Sequence, residues 1–235
     1  MKAHNELICE RCGYVIEGLP REGSCPECGR PIPSSHPDHR IGSPWQRRPG
    51  VRSLATCVLG VLRRPRQSWE QVTVDLPSAS AVLWAQCALA AVIFPGVAFV
   101  WSAMHHVAAL GPAILVSFAW FLCLLFLSAL EAQGVRIFGK IRQRRITKAV
   151  AYSIVGHAAA GWTLGAVIGL ATTMISIWMD AFWTRLPSLG LGAVVAAGSG
   201  LLAFEILTYL GIRRMRYANP PRPDSESPLS PLAGE

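Results

Sequence analysis

Four long apolar runs constrain this chain more than any other feature of its sequence. Each has at least 20 residues and at most one charged side chain, and they lie at about residues 82–104, 111–130, 149–179 and 188–211. A bilayer's hydrocarbon core is ~30 Å thick and needs roughly 20 helical residues to cross, so each run is long enough. We therefore predict an all-α integral membrane bundle of about four transmembrane helices.

The basic residues indicate how this bundle is oriented. The stretch Glu131–Lys148 lies between two apolar runs and carries six basic side chains: Arg136, Lys140, Arg142, Arg144, Arg145 and Lys148. Further arginines precede the first run and follow the fourth, whereas the other two connections contain only Arg185. Dense positive charge stays in the cytosol. The pattern predicts a multi-pass protein of the cytoplasmic (inner) membrane with both termini cytosolic.

Composition agrees with a membrane protein and bears on its partners. Only 15% of the residues are charged and 51% are hydrophobic, yet the net charge is +8. The positive charge flanks the apolar runs and does not cover one soluble face. This placement favours anionic lipid head groups over nucleic acid as the partner. We expect the basic loop 131–148 to face lipid or a protein partner.

Two CxxC pairs near the amino terminus predict a metal site. Cys9 and Cys12 form the first pair, and Cys25 and Cys28 form the second after a gap of twelve residues. Four thiolates in this spacing are typical of tetrahedral zinc, and a closed four-cysteine site is structural. The alternative is two redox pairs or disulfides, which a cytosolic location disfavours.

The segment CERCGYVIEGLPREGSCPECG also resembles a recurrent bacterial zinc ribbon of planctomycete type. That resemblance implies a small metal-stapled β-hairpin, which we place at residues 1–33. A linker follows at 34–50, and an amphipathic region at 51–75 is expected to lie on the membrane surface or against the ribbon. The transmembrane domain then occupies 76–216, and a disordered tail rich in proline and serine occupies 217–235.

Two ionisable residues lie inside the predicted spans. His157 is in the third span and Glu205 is in the fourth, each several residues from the cytosolic end. Ionisable groups in a bilayer are expensive and are often functional. The two side chains could therefore form a proton or ion site. Alternatively, His157 makes a structural hydrogen bond, or Glu205 extends to the inner interface.

Two short motifs resemble the Yip (Ypt-interacting protein) domain family. Leu62-Arg-Arg-Pro65 followed by Ser68-Trp69-Glu70-Gln71-Val72 is similar to the segment before that family's first span. Ala149-Val-Ala-Tyr152-Ser153-Ile154 is similar to the opening of its third span. The family commonly has five spans, whereas charge and length here favour four. Its eukaryotic members act with small GTPases in vesicle trafficking, so the resemblance implies a membrane adaptor.

These observations lead to one functional expectation and two alternatives. No nucleophile–base, phosphate-loop or paired-carboxylate motif is visible in the sequence, so we expect no enzyme. We predict a membrane scaffold or adaptor whose zinc ribbon meets a protein partner or anionic lipid. Glycine-rich helices could also support a homo-oligomer. The alternatives are a small-solute or ion transporter that uses His157 and Glu205, and a membrane-tethered regulator whose ribbon contacts nucleic acid.

Overall fold

The computed structural model describes residues 6–96, 110–180 and 188–221. It is mostly helical. Short 3₁₀ turns at Ile32–Ser35 and Pro37–His39 precede the α-helices. The helices in chain order are α1 Pro44–Arg47, α2 Val51–Arg63, α3 Pro65–Gln71, α4 Leu76–Ala91, α5 Leu110–Ile141, α6 Lys148–Ala158, α7 Ala160–Asp180 and α8 Ser188–Met215.

Within the described residues, four helical segments are long and apolar enough to cross a membrane, which agrees with the predicted number. They are Leu76–Gly96, Ala113–Ile141, Lys148–Met179 and Gly190–Met215. The first begins before residue 82, because Asp75 caps α4 by accepting a hydrogen bond from the Ser78 N–H. It includes a π-helical turn at Val92–Gly96. The predicted end of this span, 97–104, lies outside the described residues.

The second span continues well beyond its predicted end at residue 130. Helix α5 reaches Ile141, so most of the stretch expected as a basic loop is helical. Ala132 and Val135 are buried on the inner side of this extension, and packing of such residues stabilises a helix. The non-helical connection to α6 is limited to residues 142–147.

The third span is two helices joined end to end. Helices α6 and α7 meet at Ala159, where the Trp162 N–H donates to the Ala159 carbonyl and tightens the turn. Together they occupy the centre of the bundle. In this span 72% of the apolar stretch is buried, compared with 11% in the second span. The second span is therefore peripheral.

Helices α7 and α8 pack more extensively than any other pair of described helices. Glycines make this approach possible. A Cβ added to Gly165 would lie 2.5 Å from the Ala196 carbonyl oxygen, and one added to Gly169 would lie 2.8 Å from the Gly192 carbonyl oxygen. The glycines at 161–169 that could have served a homo-oligomer thus pack inside the chain, whereas Gly190 and Gly198 face open space.

The amphipathic region packs against one end of the bundle. Helix α2 buries Cys57, Val58 and Val61 towards the other helices, among them α3, α6 and α7. Trp69 of α3 is fully buried, and Gly211 of α8 lies against its ring. We call this end, where residues 6–75 gather, the module end.

The N-terminal module, residues 6–35, has no β-strand among its described residues, so the predicted β-hairpin is not observed. Two isolated antiparallel bridges, Ile8 with Val15 and Ser24 with Pro31, are present instead. Each bridge flanks one CxxC turn. Leu7, Ile16 and Ile32 form a small core beside the cysteines.

The carboxyl-terminal segment also differs from expectation at its start. Ala218 and Asn219, placed in the disordered tail from sequence, are buried at the module end. Residues 222–235 of that predicted tail lie outside the described residues.

Candidate metal centre and its attachment to the membrane helices

Two equivalent backbone turns position the four cysteines. The Gly13 N–H donates to the Cys9 carbonyl at 2.8 Å, and the Gly29 N–H donates to the Cys25 carbonyl at 2.9 Å. Both glycines have positive φ, +83° and +70°, a conformation that side chains disfavour. Each turn directs two sulfur atoms to the same side, as expected from the CxxCG spacing.

The sulfur atoms converge on a site that could hold a metal ion. Cys9 Sγ and Cys28 Sγ are 3.5 Å apart, and Cys12 Sγ and Cys25 Sγ are 3.6 Å apart. All four atoms lie within 4.8 Å of one another. A tetrahedron with metal–sulfur bonds of about 2.3 Å requires sulfur separations of roughly 3.8 Å. The donor set therefore fits a tetrahedral ion that prefers thiolates.

Crowding of these thiols affects their protonation. Burial acts to raise the pKa of the Cys9 thiol, but hydrogen bonds from the backbone of Cys12 and Arg11 outweigh it and lower that pKa to about 7. Desolvation, together with hydrogen bonds to Cys25 and Cys28, raises the pKa of the Cys12 thiol to about 12. Because thiolates bind metal and thiols do not, ion binding must release protons here.

A buried ion pair attaches the N-terminal module to the helices. Arg40 donates from Nε and Nη2 to the two carboxylate oxygens of Glu10, at 3.0 and 2.8 Å. Its Nη1 donates to the Trp69 and Val72 carbonyls at 3.0 and 2.9 Å. Both charged side chains are only 4% exposed. Arg40 therefore joins the first CxxC turn to the end of α3.

Asn219 forms a second attachment from the far end of the chain. Its Nδ2 donates to the carbonyls of Ile8 and Ser35, at 2.8 and 2.7 Å. Its backbone N–H donates to Glu10, and its Oδ1 accepts from the Ile8 N–H. These contacts place the module and the segment after α8 at the same end of the bundle, as an even number of spans requires.

The six residues of the predicted basic surface do not behave alike. Lys140, Arg142 and Lys148 are exposed, and Arg136 and Arg144 are half-buried. Arg145 is different because its Nη1 donates to the Glu6 carbonyl at 2.6 Å and to Asn219 Oδ1 at 3.4 Å. Arg145 thus belongs to the attachment of the module, whereas the other five remain available at the module end.

The structure does not bring His157 and Glu205 together. His157 is fully buried: its Nδ1 hydrogen bonds with the Ser153 carbonyl at 2.8 Å, and its Nε2 hydrogen bonds with Ser43 Oγ at 2.9 Å. Both ring nitrogens are therefore occupied. The Glu205 side chain is exposed on α8. Neither ring nitrogen bonds to Glu205, and the structural hydrogen bond considered as the alternative for His157 is present.

Ser43, which the sequence analysis did not single out, is the main partner of His157. Because Nδ1 faces a carbonyl it carries the proton, so Nε2 accepts from the Ser43 hydroxyl. Ser43 also caps α1 by accepting from the Gln46 N–H, and its Oγ is buried beside a cavity of about 190 Å³. The sequence Ser43-Pro-Trp-Gln46 carries a capping-box signal that could have revealed this role.

Comparison with known proteins found no match for this chain among family models, curated proteins or solved structures.

Proposed function

We propose that this protein is a multi-pass membrane adaptor whose metal module presents a surface to a protein partner at the cytosolic side. The observation that carries the proposal is the attachment of a four-cysteine module to the bundle through the buried contacts of Arg40, Glu10 and Asn219. A module held in this way transmits binding at its surface to the membrane helices. The resemblance to the Yip family agrees with such a role.

We propose zinc as the ion. A closed set of four thiolates favours zinc or iron and leaves no position for a substrate. Metal analysis of the purified chain should find one zinc per protein, absent from Cys25→Ser. One iron per chain, with its visible absorption, would contradict zinc.

The partner surface that we propose is the exposed side of the first CxxC turn. Tyr14 and Val15 are 41% and 45% exposed, although they are large and apolar. Glu22 and Glu27 are exposed on the same module. An exposed apolar pair on a module with more acidic than basic residues suits a protein better than nucleic acid. The five available basic residues of 136–148 would contact anionic lipid beside it.

Both alternatives from the sequence have less support. A transporter that uses His157 and Glu205 lacks the pair on which it depends. A nucleic-acid regulator would need a basic module, whereas residues 6–35 carry five glutamates against three arginines. The cytosolic location of the module end follows from the positive-inside rule and is part of our proposal.

The test is site-specific photo-cross-linking in intact membranes. A photoreactive residue replaces Tyr14, and the control places it at Ile41, which is exposed but lies outside the module. We expect one defined cross-linked product from position 14, lost when Cys25→Ser removes the ion. Products that are equal at both positions, or insensitive to loss of the ion, would refute the adaptor proposal.

A further inference from the structure

A cavity of about 450 Å³ lies where the N-terminal module meets α3 and the end of α8. Six arginines line it: Arg11, Arg30, Arg66, Arg213, Arg214 and Arg216. Glu10, Trp69 and Leu210 complete the lining. We propose that this cavity binds a phosphate-bearing anion, supplied either by a lipid head group or by a soluble phosphate compound.

The charge balance of the cavity favours an anion. Glu10 is the one carboxylate in the lining, and Arg40 already holds both of its oxygens. Arg214 pairs with Glu70 at 2.9 Å. Within the described parts of the chain, no carboxylate forms an ion pair with any of the other five arginines. Like charges gathered in one cavity repel each other, and a bound anion would offset that repulsion.

Contacts with neutral groups hold several of these guanidinium groups in place. Arg30 donates from Nε to Ser34 Oγ at 2.8 Å and from Nη2 to the Ser34 carbonyl at 3.0 Å, which leaves three of its five N–H donors. Arg216 donates to the Arg11 carbonyl at 3.1 Å, and Arg213 lies over the Tyr209 ring. These contacts position the positive charges without neutralising them.

The size and location of the cavity indicate the class of ligand. Arginine forks match phosphate oxygens in bidentate geometry, and several together suit a group with more than one negative charge. A volume of about 450 Å³ falls in the range of small-molecule sites and exceeds the size of a bare ion. Three of the arginines lie at or just beyond the end of the fourth span, where lipid phosphates are found.

This site differs from the surfaces used in the adaptor proposal. None of its arginines belongs to residues 131–148, and Tyr14 and Val15 are not in its lining. The inference is therefore independent of a protein partner, and each can fail without the other.

The test uses the full chain, loaded with metal, in an uncharged detergent and in lipid nanodiscs. Pyrophosphate binding is measured by calorimetry in nanodiscs of phosphatidylcholine alone. Retention of phosphatidylglycerol is measured by mass spectrometry after purification from mixed lipid. The double variant Arg66→Gln with Arg213→Gln removes two cavity charges. The control, Arg52→Gln with Arg63→Gln, removes two charges from exposed positions of α2.

We expect the wild-type protein to bind at least one of these probes. The cavity variant should lose at least tenfold in affinity or retention, whereas the control should change less than twofold. Pyrophosphate binding in neutral lipid would identify a soluble ligand, and phosphatidylglycerol retention alone would identify a head group. Absence of both from the wild type, or equal losses in both variants, would overturn the proposal.

A second measurement needs no variant and applies if the cavity variant does not fold. Phenylglyoxal modifies accessible arginines, and mass spectrometry reports the extent at each position. Pyrophosphate or phosphatidylglycerol should protect Arg66 and Arg213 at least fivefold more than Arg52. Equal modification at all three positions with and without both probes would refute the site.

Discussion

At the residue scale, the Glu10–Arg40 pair should matter most for attachment of the module. Replacing Arg40 with methionine leaves the buried Glu10 carboxylate without its partner and frees two buried carbonyls. Breaking a buried pair in this way typically costs about 3–5 kcal/mol. We expect Arg40→Met to lower the free energy of unfolding in mild detergent by that amount.

Arg21→Met is the matched control, because Arg21 pairs with Asp38 at 3.3 Å on the surface, where the side chains are 66% and 77% exposed. Such pairs contribute about 0–1 kcal/mol. If both variants lost equal stability, the buried pair would not be what fastens the module.

Cys57 gives a prediction for alkaline pH. Burial raises the pKa of its thiol to about 11, although a hydrogen bond with Ser43 acts in the opposite direction. The unfolded thiol ionises near pH 9, so between pH 9 and 11 the folded state binds more protons. The contribution of the Cys57 thiol to the free energy of unfolding is therefore complete below pH 9. It falls by roughly 2–3 kcal/mol as the pH rises towards 11.

The free energy of unfolding is measured from pH 7.5 to 11 for the wild type and for Cys57→Ala. The difference isolates this effect because the two proteins share all other titratable groups. The stability difference should be constant below pH 9 and should shift in favour of Cys57→Ala above it. A constant difference throughout would show that the Cys57 thiol ionises as readily in the folded chain.

At the element scale, the membrane helices were predictable because each carries its own signal. Length and lack of charge suffice to find a span, whatever it packs against. The end of α5 was missed for the opposite reason. From sequence, the charges of Arg136 and Lys140 predicted a cytosolic loop. In the structure, Ala132 and Val135 are buried and one side of the helix packs in the bundle. That packing depends on distant residues, which the local pattern does not contain.

The contact between α7 and α8 can be tested with two identical changes. A Cβ at Gly165 would lie 2.5 Å from the Ala196 carbonyl oxygen, so Gly165→Ala should push the helices apart. Overpacking of this kind costs about 1–3 kcal/mol. The matched change Gly198→Ala meets nothing within 4 Å on the same pair of helices. It should be neutral or stabilising by up to about 1 kcal/mol, because alanine favours helix.

Thermal unfolding of both variants in detergent is the measurement. If Gly198→Ala lowered stability as much as Gly165→Ala, the close helix approach at Gly165 would not be the reason that an alanine there is destabilising.

At the scale of the whole molecule, the sequence revealed the four cysteines that cluster but not what surrounds them. The four cysteines are recognisable because each pair lies within four residues and the chemistry is local. No local sequence pattern identifies Arg40 or Asn219. Asn219 belongs to a polar tail and contacts Ile8, which is 211 residues away. The sequence raised a structural hydrogen bond for His157 but did not identify its partner Ser43, which is 114 residues away.

This arrangement predicts that metal removal loosens only one part of the molecule. The module's own core is small, so most of its folding free energy should come from the ion, on the order of 10 kcal/mol. Hydrogen exchange in nanodiscs should therefore show lost amide protection at residues 7–32 after chelation, regained when zinc returns, while α7 and α8 stay protected. Cys123→Ser, which lacks a thiol outside the cluster, should behave as wild type. If protection at 7–32 persisted after confirmed metal loss, the Arg40 and Asn219 contacts alone would hold the module together.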